Sequence, residues 1–143
     1  MDAVENVLNA TGKPTGLTVH RERFRPIETD QLPAILFYAE DDAPKPLAGI
    51  QYKAPLTERQ LTLVLEHRVA VPAGTNGDDA LDPLLVWGIA QILGNESFGG
   101  LASGVDEGRT VWLSREGETT VAAAAVHYTV KYRTSRLDPT QKS

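Results

Sequence analysis

The stretch Arg59–Val71, RQLTLVLEHRVAV, narrows what this chain can fold into more than any other. Leu61, Leu63, Leu65, His67, Val69 and Val71 fall on one parity, and Thr62, Val64, Glu66, Arg68 and Ala70 on the other. Strand side chains alternate between the two faces of a sheet, so one set is destined for a core and the other mostly for solvent. Its length and branched residues place it across the centre of that sheet. No recognisable catalytic setting accompanies it, so the chemistry expected of the chain is that of assembly.

The remaining sequence bounds the class. At 143 residues the chain reads as a single domain, 1–143, large enough to bury a core without covalent staples. Apolar residues make up 41% and charged residues 23%, the balance of a globular rather than a disordered protein. Lysine and arginine number 14 against 19 acids, a net charge of -5, which argues against a protein that clamps phosphates. The same charge is compatible with a surface that DNA merely passes. Cysteine is absent, which excludes disulfides and thiolate metal sites. No signal-like apolar run follows the N-terminus and no stretch approaches a membrane span, so synthesis in the cytoplasm with no membrane partner is expected.

Taken in order, Asp2–Ala10 has Ala3, Val4, Val7 and Leu8 at helical spacing with Asp2 and Glu5 in its first turn, and Gly12 and Pro14 end it. Gly16–Arg25 starts as a strand and runs into HRERFR, where Arg21, Arg23 and Arg25 share one parity. That face reads either as a solvated edge whose charges block stray pairing or as a contact for an acidic partner. Ala34–Tyr38, AILFY, has the continuous apolar run of a strand buried on both faces. Glu40–Glu58, with its prolines, Gly49 and clustered charge, reads as irregular or as a long, loosely formed hairpin, either an extended arm that finds order on a neighbour or a surface loop.

After the turn Pro72–Gly77, Asp78–Leu93 reads as the main helix, with Leu81, Leu84, Leu85, Gly88, Ile89 and Ile92 on one stripe. Asp78, Asp79 and Asp82 offer capping groups, and Pro83 would take the first helical position if Asp82 is the cap. Gly94 and Asn95 mark its end. Asn95–Gly108 reads as a glycine-bearing connector, and Arg109–Ser114 and Thr120–Arg133 as two strands around Gly117. In the second of these, Ala122, Ala124, Val126, Tyr128, Val130 and Tyr132 share a face, and the small alanines invite a close helix. Residues 135–143 read as a polar tail.

Tests for chemistry return little. His20 sits among charges, while His67 and His127 lie on strands where they could meet across a pair, but no carboxylate is placed to complete a metal site. Ser97, Ser103 and Ser114 lack a nucleophile elbow. Asp41-Asp42 and Asp78-Asp79 are neighbours in sequence, not a convergent acid–base pair. Gly99-Gly100 follows a helix and lacks the lysine of a phosphate loop. No catalytic residue, metal or cofactor is expected.

Four landmarks then stand in a collinear order: LPAILFYAEDD at Leu32–Asp42, ERQLTLVLEHRVAVPA at Glu58–Ala73, DDALDPLLVWGIAQIL at Asp78–Leu93, and AAAAVHYTVKYRT ending at Thr134. The set, with its closing Tyr128, Val130, Tyr132 pattern, resembles the tail terminator (tail completion) proteins of long-tailed bacteriophages, the family of the lambdoid minor tail protein U. The resemblance covers about residues 16 to 134, and it rests on order and spacing rather than on any single motif. The N-terminal helix is shorter than the family's, so no role for it is carried over.

The expected fold is α+β: a mixed, mostly antiparallel sheet with one main helix, about 78–93, packed on it, a short helix within 1–12, and a long β-arm over 40–58. The resemblance relates this fold to the tail-tube subunit. It further implies a virion protein at the head-proximal end of the tail, a hexameric ring that caps the tail tube, stops its polymerisation and meets the head–tail connector or neck. DNA would pass through the lumen without specific binding. Ring closure requires each subunit to present two different surfaces. The candidate ring or tube contacts are Arg21, Arg23 and Arg25 on the basic segment and Glu40, Asp41, Asp42, Lys53, Glu58 and Arg59 on and beside the arm. A neck (tail-completion or head-closure) protein and a small monomeric ligand-binding module are the alternatives.

Overall fold

The computed structural model describes residues 2–9, 12–21, 31–45, 56–72, 74–95, 98, 102–113 and 121–135. Its elements are α1 (Asp2–Leu8), β1 (Thr18–His20), β2 (Ala34–Lys45), β3 (Leu56–Ala70), α2 (Gly77–Leu93), β4 (Gly104–Trp112) and β5 (Val121–Ser135). The strands form one five-stranded sheet in the order β1-β2-β3-β5-β4. Only the β1–β2 pair is parallel; β2–β3, β3–β5 and β4–β5 are antiparallel. The architecture is thus α+β with a mixed, mostly antiparallel sheet, and β3 lies at its centre as its alternation requires.

Parity in β3 does sort the core. Leu63, Leu65, His67 and Val69 are buried on the face that α1 and α2 cover, together with Ile35 and Phe37 of β2, Val105 of β4, and Ala122, Ala124, Val126, Tyr128 and Val130 of β5. From α2 come Leu81, Leu84, Leu85 and Ile92, with Trp87 and Ile89 partly buried against the same cluster. The seven-residue α1 is too short to hold itself together, and it is anchored by Val4 and Leu8 in this core. Full burial of a leucine such as Leu8 is worth about 1.5–3 kcal/mol. The opposite face also buries Ala34, Leu36, Val64 and Ala125, so Ala34–Phe37 is enclosed on both sides as its unbroken apolar run foretold.

Several boundaries differ from the reading of the sequence. Glu40–Lys45 extend β2, paired antiparallel with Glu58–Thr62 of β3 after a bulge between Ala39 and Asp41, as the hairpin form of this stretch requires. Cross-strand pairing overrides the weak strand propensity of EDDAPK. Residues 46–55 lie outside the described residues, as does the tail beyond Ser135, while Leu56–Glu58 at the arm's end open β3. Strand β4 starts at Gly104, inside the stretch read as a connector, because its backbone pairs with β5 from Lys131 onward. There Gly108 sits at a second bulge, where a side-chain carbon would stand 2.9 Å from the His127 carbonyl oxygen.

Helix α2 is capped by Asn76, whose side-chain oxygen accepts the Asp78 amide at 2.9 Å, not by Asp82. Pro83 therefore lies inside the helix rather than at its first position. The carbonyl it leaves without a donor belongs to Asp79, which is exposed and open to water. Starting the helix at Gly77 places Leu81 fully in the core, and Pro83 is carried along on the outer face. At the far end Gly94 stays right-handed (φ -71, ψ -13), and the Asn95 side-chain amide donates to the Gln91 carbonyl at 2.8 Å. Helix closure here is a side-chain cap instead of a left-handed glycine.

The tightest contact between helix and sheet joins Gly88 to His67. The imidazole is fully buried, and neither ring nitrogen makes a well-formed hydrogen bond among the described residues; the Ala124 and Leu65 backbones come near enough to favour its charged form only weakly against burial. A β-carbon on Gly88 would stand 2.4 Å from Nε2, so only glycine lets α2 cross at this height. Ala124 lies beside His67 in the register, and its small side chain leaves room for the ring. Replacing Gly88 by Ala should therefore cost about 1–3 kcal/mol through overpacking. Urea unfolding should show a lowered midpoint, whereas Gly104→Ala, which has open space around it, should stay within about 0.5 kcal/mol.

Burial pushes the His67 pKa down from its ordinary value of 6.5 to about 4. The unfolded chain then takes up a proton that the folded chain refuses. Above pH 6.5 the imidazole is neutral in both states and carries no penalty; as pH falls from 6.5 toward 4 the fold loses roughly 3 kcal/mol. Stability measured against pH in wild type and His67→Leu should diverge across that window. Parallel curves would show that the buried imidazole is not responsible.

Candidate functional site

At one end of the sheet, 41–45 of β2, 56–62 of β3 and 129–135 of β5 run side by side as a limb, with Gly104–Asp106 of β4 joining beside 129–131. This limb carries most of the sequence-derived candidates. The bulge in β2 decides their placement. Up to Ala39, odd residues of β2 face the helices; Glu40 and Asp41 then both oppose Thr62, and from Asp42 onward the parity is reversed. Asp42 consequently pairs with Leu61 and shares the helix-side face with Arg59 and Tyr132, which are themselves direct cross-strand neighbours.

Those three side chains form one cluster. Arg59 Nε lies 3.3 Å from Asp42 Oδ1, and the Tyr132 hydroxyl donates to Asp42 Oδ2. Partial burial, and then the hydrogen bond to the Asp42 carboxylate, raise the Tyr132 pKa, because ionising the phenol would set two negative charges side by side. The cluster ties β2, β3 and β5 together at this end of the sheet. It is a polar clamp on a half-exposed surface, so its value lies in register more than in energy.

On the opposite face of the sheet the bulged Glu40 reaches His127 Nε2 at 3.3 Å, and Lys131 Nζ meets Asp106 of β4 at 3.1 Å. Nearer the middle of that face, Glu66 and Arg68, two residues apart on β3, pair at 2.7 Å. His67 and His127 do not meet: the register sets His67 beside Ala124 and His127 beside Val64, on opposite faces. His20 is at the other edge of the sheet, with Nε2 3.0 Å from Thr18 Oγ1. Among the described residues no group of three or more His, Asp or Glu is placed to hold a metal ion.

Of the remaining candidates, Arg21 follows β1 and turns onto its own N-terminal helix. It pairs with Asp2, lies 3.6 Å from Glu5, and stands over the Phe37 ring at 5.9 Å. Its guanidinium holds the Asp2 carboxyl below the usual carboxylate range. Asp41 is exposed on the face opposite Asp42, and Glu58 lies directly across from Arg133 of β5. Arg23, Arg25 and Lys53 lie outside the described residues. Four candidates, Arg21, Glu40, Asp42 and Arg59, thus have partners within the same chain, while Asp41 is left facing solvent. Tyr132 and His127 were missed as members of these clusters, because their partners come from β2 past a bulge that has no sequence signature.

The Asp42–Tyr132 link has a direct spectroscopic consequence. In Asp42→Asn the negative charge beside the phenol is gone, so Tyr132 should ionise at lower pH than in the wild type. Ultraviolet titration, with Tyr132→Phe to identify the transition, should show one phenolate signal moving down; an unmoved signal would break the assignment.

No family model matches this sequence, and no curated protein matches it.

Proposed function

We propose that this chain is a structural ring protein of the tail terminator kind, which caps a phage tail tube, stops its growth and offers a surface for head joining. The observation that carries the reading is the way the four collinear landmarks come together. LPAILFYAEDD forms β2 through its bulge, ERQLTLVLEHRVAVPA most of β3, DDALDPLLVWGIAQIL α2, and AAAAVHYTVKYRT β5. Three of them are adjacent strands and the fourth is the helix lying on them, so the segments that carry the resemblance are also those that build the core.

The chemistry of the surface supports an assembly role. Asp42, Arg59 and Tyr132 of the limb are engaged with one another across three strands, and Asp41 faces solvent. A net charge of -5 disfavours adhesion to DNA moving through a lumen, an expectation that belongs to the ring reading. The tail-tube-like character of the sheet, the hexameric count, the tube and neck as partners, and the virion location are parts of the same proposal.

Purified protein added to polymerising tail-tube subunits tests it. Tubes should stop lengthening at substoichiometric amounts relative to tube subunit, with the protein found at tube ends in electron micrographs. Tubes that keep growing with the protein present would overturn the terminator reading and leave a neck role to be tested by head joining.

A further inference from the structure

The chain has four asparagines, Asn6, Asn9, Asn76 and Asn95, and only Asn76 is followed by glycine. The fold also sets Asn76 apart from the others. Asn9 and Asn95 use the side-chain NH2 as a donor, to the Glu5 carbonyl at 3.1 Å and the Gln91 carbonyl at 2.8 Å. Asn6 lies within α1 and is followed by the branched Val7. Asn76 is arranged the other way round: its Oδ1 accepts the Asp78 amide at 2.9 Å, and its NH2 donates to nothing among the described residues. A hydrogen bond to that oxygen draws electron density from Cγ, while the side-chain nitrogen stays unrestrained. Asn76 is exposed, as are Gly74 and Thr75 before it, so water reaches the group. Gly77, the first residue of α2, carries one of the four amides for which the helix supplies no carbonyl. It has no side chain to crowd an approach to its neighbour.

We infer that Asn76 is a site of self-modification, where the Gly77 nitrogen attacks Asn76 Cγ and the side-chain amide is lost as ammonia. The bond from Gly77 nitrogen to Cγ forms and the bond from Cγ to Nδ2 breaks. The proton of the Gly77 N–H, relayed by water, ends on the departing nitrogen, and a five-membered imide remains. Water then opens the ring at either carbonyl. Opening at Cγ gives aspartate, and opening at the backbone carbonyl gives isoaspartate; water is the only co-reactant. Closure turns Asn76 about its ψ of 137 and releases one helical bond, from the Ala80 amide to the Asn76 carbonyl at 3.0 Å. The reactive form is therefore a frayed first turn of α2. The two products differ in what they do to the helix. Aspartate caps as well as asparagine. Isoaspartate routes the main chain through the former side-chain carbons, so the cap is lost where α2 begins. Leu81, fully buried, lies only four residues beyond Gly77, so the lesion bears directly on the core. The inference does not depend on the ring reading.

Full-length protein held at mildly alkaline pH and physiological temperature, sampled over days for peptide mapping by mass spectrometry, tests this. The peptide spanning Asn76 should gain the mass difference between an amide and an acid and split into two isomers. The isoaspartyl isomer should be the more abundant and should accept a methyl group from isoaspartyl methyltransferase. Peptides containing Asn6, Asn9 and Asn95 should stay unchanged over the same period. Gly77→Ala, whose added carbon would stand in ordinary contact 3.4 Å from Ala122 Cβ, should slow the reaction severalfold. Asn76→Ser keeps a capping oxygen without an amide, and should abolish both the mass gain and the methyl labelling. Thermal unfolding checks that both variants are folded. Aged wild type should unfold at a lower temperature than fresh protein, and aged Asn76→Ser should not. An Asn76 peptide of unchanged mass, an equal rate at Asn9 or Asn95, or an undiminished rate in folded Gly77→Ala would overturn the site. Aspartate as the sole product would mean direct attack by water, and the route through Gly77 would fall.

Discussion

The unbroken pairing of β3 with β5 is the constraint from which the rest follows. Fifteen consecutive residue pairs run from Leu56↔Ser135 to Ala70↔Val121 without a register shift. Because side chains alternate with a strict period of two, this single alignment decides at once that His67 and Tyr128 face the helices and that His127 and Glu66 do not. It also lines up Ala122 and Ala124 where α2 must come close. The bulges occur only in the strands that flank this pair, β2 and β4, so irregularity is confined to places where it re-aims side chains without disturbing the spine.

Much of the core was legible in the sequence because it follows periodicity. The odd residues of Leu61–Val69, the run Ala34–Phe37, the even residues from Ala122 to Val130 and the α2 stripe all reach the positions their patterns require. What was not legible depends on contacts between distant segments. The strand character of Glu40–Lys45 and Gly104–Gly108 comes from neighbours in the sheet; the first has no strand-forming residue of its own to announce it and the second only Val105. The cap at Asn76 was hidden by three aspartates that looked equally suitable. Pro83 misled for a physical reason: proline is usually read as a first-turn residue, yet burial of Leu81 one half-turn earlier outweighs its cost inside the helix.

The surface was less legible than the core. Arginine at position 21 reads as available charge, but its partners Asp2 and Glu5 lie on a helix that sequence spacing cannot bring next to it. Likewise Arg59 and Asp42 were both singled out, though nothing in the sequence indicated that they would satisfy one another. Four of the charged groups conspicuous in the sequence, Arg21, Glu40, Asp42 and Arg59, thus hold the chain to itself. Among the described residues, less conspicuous side chains are the apolar ones left exposed: Val86 and Leu93 on α2, and Trp112 and Leu113 at the end of β4.

The bulge at Glu40–Asp41 makes the limb editable. On a regular strand, the chemistry displayed on either side can be altered only by replacing residues one by one. Here a single inserted residue has turned over everything from Asp42 to the end of β2, bringing a carboxylate under Tyr132 and leaving another on the reverse side. Loss of one residue at that point would exchange the two displays wholesale while the β3–β5 spine kept its alignment. A lineage carrying this fold could therefore change what its limb presents to a neighbour by a one-codon deletion, a far shorter route than rebuilding the surface by substitution.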